Sequence, residues 1–238
     1  MPKNINNIFD LDVALKGGYQ YTTNNKLSSY LANQRQTQAT IDMVKLSGRQ
    51  VIDVGCGDGT YTNEIFVKCH PKKMVGFDLS RKAIAVASKR YSGNKNLHFF
   101  HGDVYSLPKQ ERFDCAILRG VLHHVDDPKR ALAAIACVCD EMFIIEPNGY
   151  NPILKLIEKI SLYHRVHKER SYPLFKLKKW LSSVGFNVVS CGYVGLVPFF
   201  CPDIIARLLK KLEPFFENLF LFKTIICGVY VIHSRKVK

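Results

Sequence analysis

Short apolar runs rich in Val, Ile and Phe alternate along the chain with longer stretches whose apolar residues recur at three- and four-residue steps. The runs lie at Gln50–Val54, Lys73–Phe77, Leu97–Phe100, Asp114–Leu118, Met142–Ile145, Asn187–Tyr193 and Ile225–His233, and they predict seven strands. The stretches between them predict helices near 60–68, 81–91, 128–138 and 173–184. Strands alternating with helices form βαβ units, which assemble into a Rossmann-like, doubly wound, mostly parallel α/β sheet with helices on both faces. In such sheets ligands bind outside the carboxyl ends of the strands.

Two segments depart from the alternation. Residues 1–49 precede the first strand and predict a helical cap, with a helix around Leu27–Leu46. Residues 199–224 separate the last two strands and carry Ile204, Ile205, Leu208, Leu209, Leu212, Phe215, Phe216, Leu219 and Phe220 at helical spacing. Arg207, Lys210 and Lys211 fall on the other face, so the segment predicts an amphipathic helix over 203–220, interrupted at Pro214. It is expected to close over the pocket as a lid with its apolar face buried in the domain; docking on a membrane surface is the alternative. A chain of 238 residues fits a single domain of 1–238, with the core at 50–193 and a last strand at 225–233.

Charge sharpens that alternative. The chain holds 34 Lys+Arg against 20 Asp+Glu; residues 1–150 carry 19 basic and 15 acidic side chains, and residues 151–238 carry 15 and 5. The excess therefore sits in the last third, where an anionic membrane, nucleic acid, an acidic substrate or a plain basic surface would each account for it. The eight cysteines form no Cys-x-x-Cys and no zinc-finger spacing, so no metal is expected. Cys115 in FDCAIL and Cys227 in IICGVYV sit in apolar runs, as free thiols do in a reducing cytosol. No signal peptide is readable in MPKNINNIFDLD. The longest uncharged stretch, Trp180–Pro202, is broken by Ser, Gly and Pro and predicts no membrane span. A cytoplasmic location is expected, with contact at the inner membrane face as the alternative.

Candidate chemistry begins at VIDVGCGDGTYT, where Asp53, Gly55, Gly57 and Gly59 directly follow the first strand. Glycines at alternate positions let a loop turn sharply and bring a ligand against backbone. The second strand ends in Phe77-Asp78, and Asp78 lies at the distance where an acid at the strand tip accepts both ribose hydroxyls. Dinucleotide sites use G-x-G-x-x-G beside a pyrophosphate; this loop reads G-x-G-x-G with no Walker lysine. An adenosine cofactor without phosphates, S-adenosylmethionine, fits better. An NAD(P)-dependent oxidoreductase and a non-catalytic binding module remain the alternatives. After the third strand, Asp103 is placed to accept the adenine amine beside the Val104 N–H, or else simply to cap a turn.

The succession VIDVGCGDGTYT, VGFDLS, GDVYSLP and FDCAILRGVLHHV resembles a class I S-adenosylmethionine-dependent methyltransferase of the type-11 small-molecule and lipid group, over about residues 30–190. The resemblance implies an antiparallel seventh strand. It also implies that Gly55, Gly57 and Gly59 approach the methionine part and ribose, with Asp53 bracing the loop. Asp78, with Leu79 beside it, would bind the ribose; Asp103 and Val104 would bind the adenine. Arg119 would contribute backbone near the methionine amine, and Arg35, in YLANQRQT, would meet the cofactor carboxylate.

Methyl transfer needs a base only for a hydroxyl or a protonated amine acceptor. His123 and His124, after the fourth strand, are the candidates, followed by Glu146 at the tip of the fifth. No Asn-Pro-Pro-Tyr sequence follows the fourth strand and no paired-glutamate loop is present, which disfavours nucleic-acid bases and protein arginine as acceptors. An O or N atom of a small-molecule or lipid-linked acceptor remains.

Overall fold

The computed structural model describes residues 10, 13–14, 18–108, 110–161 and 169–237. Helices α1 (Gln20–Thr23) and α2 (Leu27–Met43) precede β1 (Gln50–Val54), α3 (Thr60–Cys69), β2 (Lys73–Asp78), α4 (Arg81–Arg90) and β3 (Leu97–His101). Then follow β4 (Phe113–Arg119), α5 (Pro128–Ala136), β5 (Cys139–Pro147), α6 (Pro152–Ile160) and α7 (Leu174–Ser183). β6 (Phe186–Val194), α8 (Asp203–Asn218), α9 (Lys223–Ile226) and β7 (Val229–Lys236) complete the chain.

The seven strands form one sheet in the order β3-β2-β1-β4-β5-β7-β6. β1 to β5 pair in parallel, and β7 runs antiparallel to both β5 and β6. The order reverses between β1 and β4, which places a ligand crevice at their carboxyl ends. The central strands are apolar on both faces because helices cover both. Ile52, Leu118 and Ile144 pack with Leu132 of α5 and Leu177 of α7, while Val51, Cys115 and Phe143 pack on the other side with Ala39 of α2 and Ile65 of α3.

Helix starts follow capping chemistry. The Ser80 hydroxyl accepts from Ala83 N–H to open α4, and Asp127 accepts from Arg130 N–H, with Pro128 at the first turn, to open α5.

Three expectations change. Residues 152–160, outside every predicted element, are helical: the Asn151 carboxamide accepts from Ile153 and Leu154 N–H, and Pro152 supplies a helical φ in the first turn. The last strand begins at Val229 because Lys223–Ile226 forms a helical turn first. Pro214 lies inside α8 without ending it.

Helix α8 departs furthest. Only Ala206 and Glu213 are buried, so the expected inward apolar face is not what forms. The Glu213 carboxylate accepts from Leu196 N–H at 3.0 Å, and Glu217 accepts from Gly195 N–H at 2.8 Å. These carboxylates grip the chain leaving β6 on both sides of Pro214, which offsets the hydrogen bond that its ring removes. Among the described residues no helix is long and apolar enough to cross a membrane.

Candidate active site

The loop after β1 is drawn against the tip of β2. Gly55 and Cys56 N–H donate to the Phe77 carbonyl at 2.7 and 3.0 Å, and Gly57 N–H donates to Asp78 Oδ2 at 2.9 Å. Gly55, Gly57 and Gly59 all have positive φ, at 78°, 57° and 75°. Close neighbours exclude a side chain as well: a Cβ on Gly55 would lie 2.5 Å from Val121 Cγ2, and one on Gly57 2.9 Å from the Tyr19 ring. This is a cradle of bare backbone at the sheet crevice.

Asp78 is buried and fully engaged. Its Oδ1 accepts from Ser80 N–H at 2.8 Å and from the Tyr19 hydroxyl at 3.3 Å. Burial pushes its pKa up, against the pull of the Ser80 and Gly57 N–H groups and of the Tyr19 hydroxyl. Tyr19 belongs to an N-terminal strap that sequence reasoning missed. Thr22 Oγ1 in the same strap donates to Asp58 at 2.7 Å, and Ser80 Oγ donates to Asp10 at 2.6 Å. Leu79 is half-buried beside Asp78. Asp103 is exposed, and its Oδ1 accepts from Tyr105 N–H at 2.9 Å, capping a short turn at Val104–Ser106. Gly102 N–H holds this turn to the Asp78 carbonyl at 3.0 Å.

Asp53 braces the loop from below, accepting from Thr62 Oγ1 at 2.6 Å. Burial pushes its pKa up to about 6; the Thr62 hydroxyl and the Arg119 charge pull it down and Asp78 pushes it up. The fold thus favours the protonated acid. This contribution to stability is fully present below the unfolded value of 3.8 and is lost as pH rises through about 6, a change of about 3 kcal/mol at most. Asp53→Asn therefore flattens the fall in Tm between pH 4 and 7, as read by calorimetry.

Arg119 and Arg35 serve packing. The Arg119 guanidinium is stacked 3.9 Å from the Tyr61 ring centroid and donates to Gln36, Thr37 and Asn33 at 2.9–3.1 Å, stitching α2 to the end of β4. Burial lowers its pKa, against the pull of Tyr61, Glu64 and Asp53. Arg35, expected at the cofactor carboxylate, pairs here with Glu217 of α8 through Nε at 3.0 Å and Nη2 at 2.7 Å.

The loop after β4 is organised around Glu146, at the end of β5. Its buried carboxylate accepts from Val121, Leu122 and His123 N–H at 2.8, 2.7 and 3.2 Å, and its Oε2 lies 2.8 Å from His123 Nδ1. Glu146 is accordingly a positioning residue, which corrects its reading as a base facing an acceptor. Burial pushes the His123 pKa down, but the charge and hydrogen bond of Glu146, with Glu169 and Glu158, outweigh it and the value rises. His124 lies against His123, with ring centroids 3.9 Å apart. His123, His124 and Glu169 also bring one ligand atom each within 4.8 Å of the others, a set able to hold a divalent cation that no sequence spacing announced.

This crevice, cradle and strand order define a class. Residues 51–141 match the methyltransferase-domain family. Over that segment the chain is similar to class I S-adenosylmethionine-dependent methyltransferases, a likeness that supports S-adenosylmethionine as the cofactor. Phthiotriol/phenolphthiotriol dimycocerosates methyltransferase of Mycobacterium tuberculosis is 31% identical over 118 residues, covering 49% of this chain and 41% of that protein. Malonyl-[acyl-carrier protein] O-methyltransferase of Halalkalibacterium halodurans is 29% identical over 106 residues, covering 42% and 36%. The chain thus spans less than half the length of these relatives. Among solved structures, magnesium protoporphyrin IX methyltransferase from Synechocystis with bound S-adenosylhomocysteine superposes with a TM-score of 0.64 at 14% identity, covering 90% and 89% of the two chains. A [4+2]-cyclase superposes at 0.71 with 18% identity over 98% and 94%, so the fold by itself does not fix the reaction.

Proposed function

We propose that the protein transfers a methyl group from S-adenosylmethionine to an O or N atom of a small-molecule or lipid-linked acceptor, acting as one domain with residues 1–49 as its cap. One contact carries the reading: Val121 fills the space where a Gly55 Cβ would stand, so the loop bearing His123 lies directly on the glycine cradle. When bound, the cofactor supplies an electrophilic methyl on a sulfonium, displaced in line as a neutral thioether leaves. The chain's own groups then have distinct tasks. Asp78 and Leu79 meet the ribose, Asp103 and Val104 the adenine, and the Arg119 backbone the methionine amine. Glu146 fixes the His123 ring through Nδ1, which leaves Nε2 to take the acceptor's proton. His124 packs beside it. A hydroxyl acceptor uses this pair most fully, since an already neutral amine needs no base.

The M. tuberculosis relative, named for methylating phthiotriol and phenolphthiotriol dimycocerosates, supports a lipid acceptor, and contact of 203–220 with the inner face of a membrane belongs to the same reading. Two measurements test it. Calorimetry is expected to show S-adenosylhomocysteine binding and no measurable NAD binding; tighter NAD would favour an oxidoreductase. Labelled methyl transfer to a panel of hydroxyl and amine acceptors, soluble and lipid-linked, then separates an enzyme from a binding module.

Tyr230 adds a smaller prediction. On β7 opposite Glu146 it is buried, and its hydroxyl has no hydrogen-bond partner among the described residues. Burial and the Glu146 charge push its pKa up. Tyr230→Phe removes an unpaired polar atom and is expected to add about 1 kcal/mol of stability, a rise of about 2–4 °C in Tm by calorimetry.

A further inference from the structure

Helix α8 turns its polar side to the protein and its apolar side to water. Ala206, Lys210, Glu213 and Glu217, at steps of four, three and four, form the inward stripe. Lys210 pairs with Glu213, while Glu217 holds Arg35 and the Gly195 N–H. Outward stand Ile204 at 83% exposure, Leu208 at 57% and Phe215 at 62%. The apolar surface continues through Phe220 at 80%, Leu221, Phe222 and Ile225. Helix α6 adds Ile153, Leu156 and Ile160, all exposed. The two parts are joined, because the Asn151 carboxamide at the start of α6 donates to the Ile226 and Cys227 carbonyls at the end of α9. Both follow strands that end on the carboxyl side of the sheet: α6 follows β5, which carries Glu146, and α8 follows β6, two strands away. Exposed apolar side chains in this number are the kind of surface that marks a docking site.

The charges around this surface select its occupant. Arg207 and Lys211 of α8 and Lys159 of α6 are exposed, whereas Asp203 is the one exposed acid on these two helices. Resting on the reading of a lipid-linked acceptor, we propose that α6, α8 and residues 219–225 dock on an anionic phospholipid bilayer. The apolar side chains enter the headgroup boundary, the basic ones face the lipid phosphates, and the crevice opens beside the membrane that holds the acceptor.

Flotation of the full chain with vesicles of phosphatidylglycerol and phosphatidylcholine, against phosphatidylcholine alone, tests this. Each basic residue near an anionic surface multiplies binding roughly fivefold, so three give about a hundredfold preference at low salt. That preference should collapse near 1 M salt, where the screening length is about 3 Å. The combined Ile204→Ser, Phe215→Ser and Phe220→Ser variant alters exposed positions; it should keep wild-type Tm and S-adenosylhomocysteine affinity while losing vesicle binding. No flotation at low salt overturns the proposal. So does a concentration-dependent dimer, seen by ultracentrifugation, that the same substitutions dissolve while vesicles have no effect, because the face would then belong to a second copy. Cofactor affinity measured in the same preparations reports separately on the methyltransferase reading, so either can fail while the other stands.

Discussion

Asp78→Ala weakens S-adenosylhomocysteine binding by roughly 2–3 kcal/mol, which calorimetry reads as about a 30- to 150-fold rise in Kd. The loss has two sources. A ribose loses its charged acceptor, and Gly57 N–H loses the carboxylate that fixes the cradle at 2.9 Å. Asp78→Asn separates them: a carboxamide oxygen can still accept from Gly57 N–H, so the loop is kept while the charge is removed. Unchanged affinity in the alanine variant would mean that the ribose partner lies elsewhere.

The second large effect is expected at the Glu146–His123 pair, where stability and turnover should part. Glu146→Ala leaves three backbone N–H groups and an imidazole without their acceptor in a buried site, and is expected to cost about 3–5 kcal/mol, a fall of roughly 10 °C in Tm. His123→Asn keeps the three backbone donors on Glu146 and should cost far less stability, yet lower kcat about 10²–10⁴-fold. Because the folded His123 pKa is raised, its contribution to stability is full below the unfolded value of about 6.5 and fades as pH climbs through the folded value. The Tm gap between wild type and His123→Asn should therefore be widest in mild acid and narrow towards alkaline pH. Near-normal kcat in His123→Asn would show that the acceptor needs no base from this residue.

The parts of this molecule that sequence makes legible are those fixed by neighbours in the chain. All seven strands and the glycine loop are set by local apolar runs and by positive φ, and their bounds shift by only a few residues, the start of β7 excepted. The fate of a side chain depends on what arrives from far away. Arg119 reads as a strand-end arginine near a cofactor until α2 supplies Asn33, Gln36 and Thr37 some eighty residues earlier. Glu146 reads as a base until three N–H groups converge on it. For α8, the periodicity gives the helix, whereas the choice of inward face is made by Gly195, Leu196 and Arg35. A signal was present in the stripe Ala206, Lys210, Glu213, Glu217, whose small and paired polar residues share one side. Helix α6 was also announced, by Asn151-Pro152, an N-cap followed by a first-turn proline.

With Asp78 as the proposed ribose acceptor, the Tyr19 hydroxyl on it would turn cofactor entry into a substitution. A ribose alcohol reaching Oδ1 meets an oxygen that already accepts one alcohol-like donor and one amide, so it takes over a hydrogen bond instead of adding one. The carboxylate is never stripped bare in the exchange and pays little fresh dehydration. Heat released at this position should be small, and selectivity for an adenosine falls to how well the rest of the ligand fits.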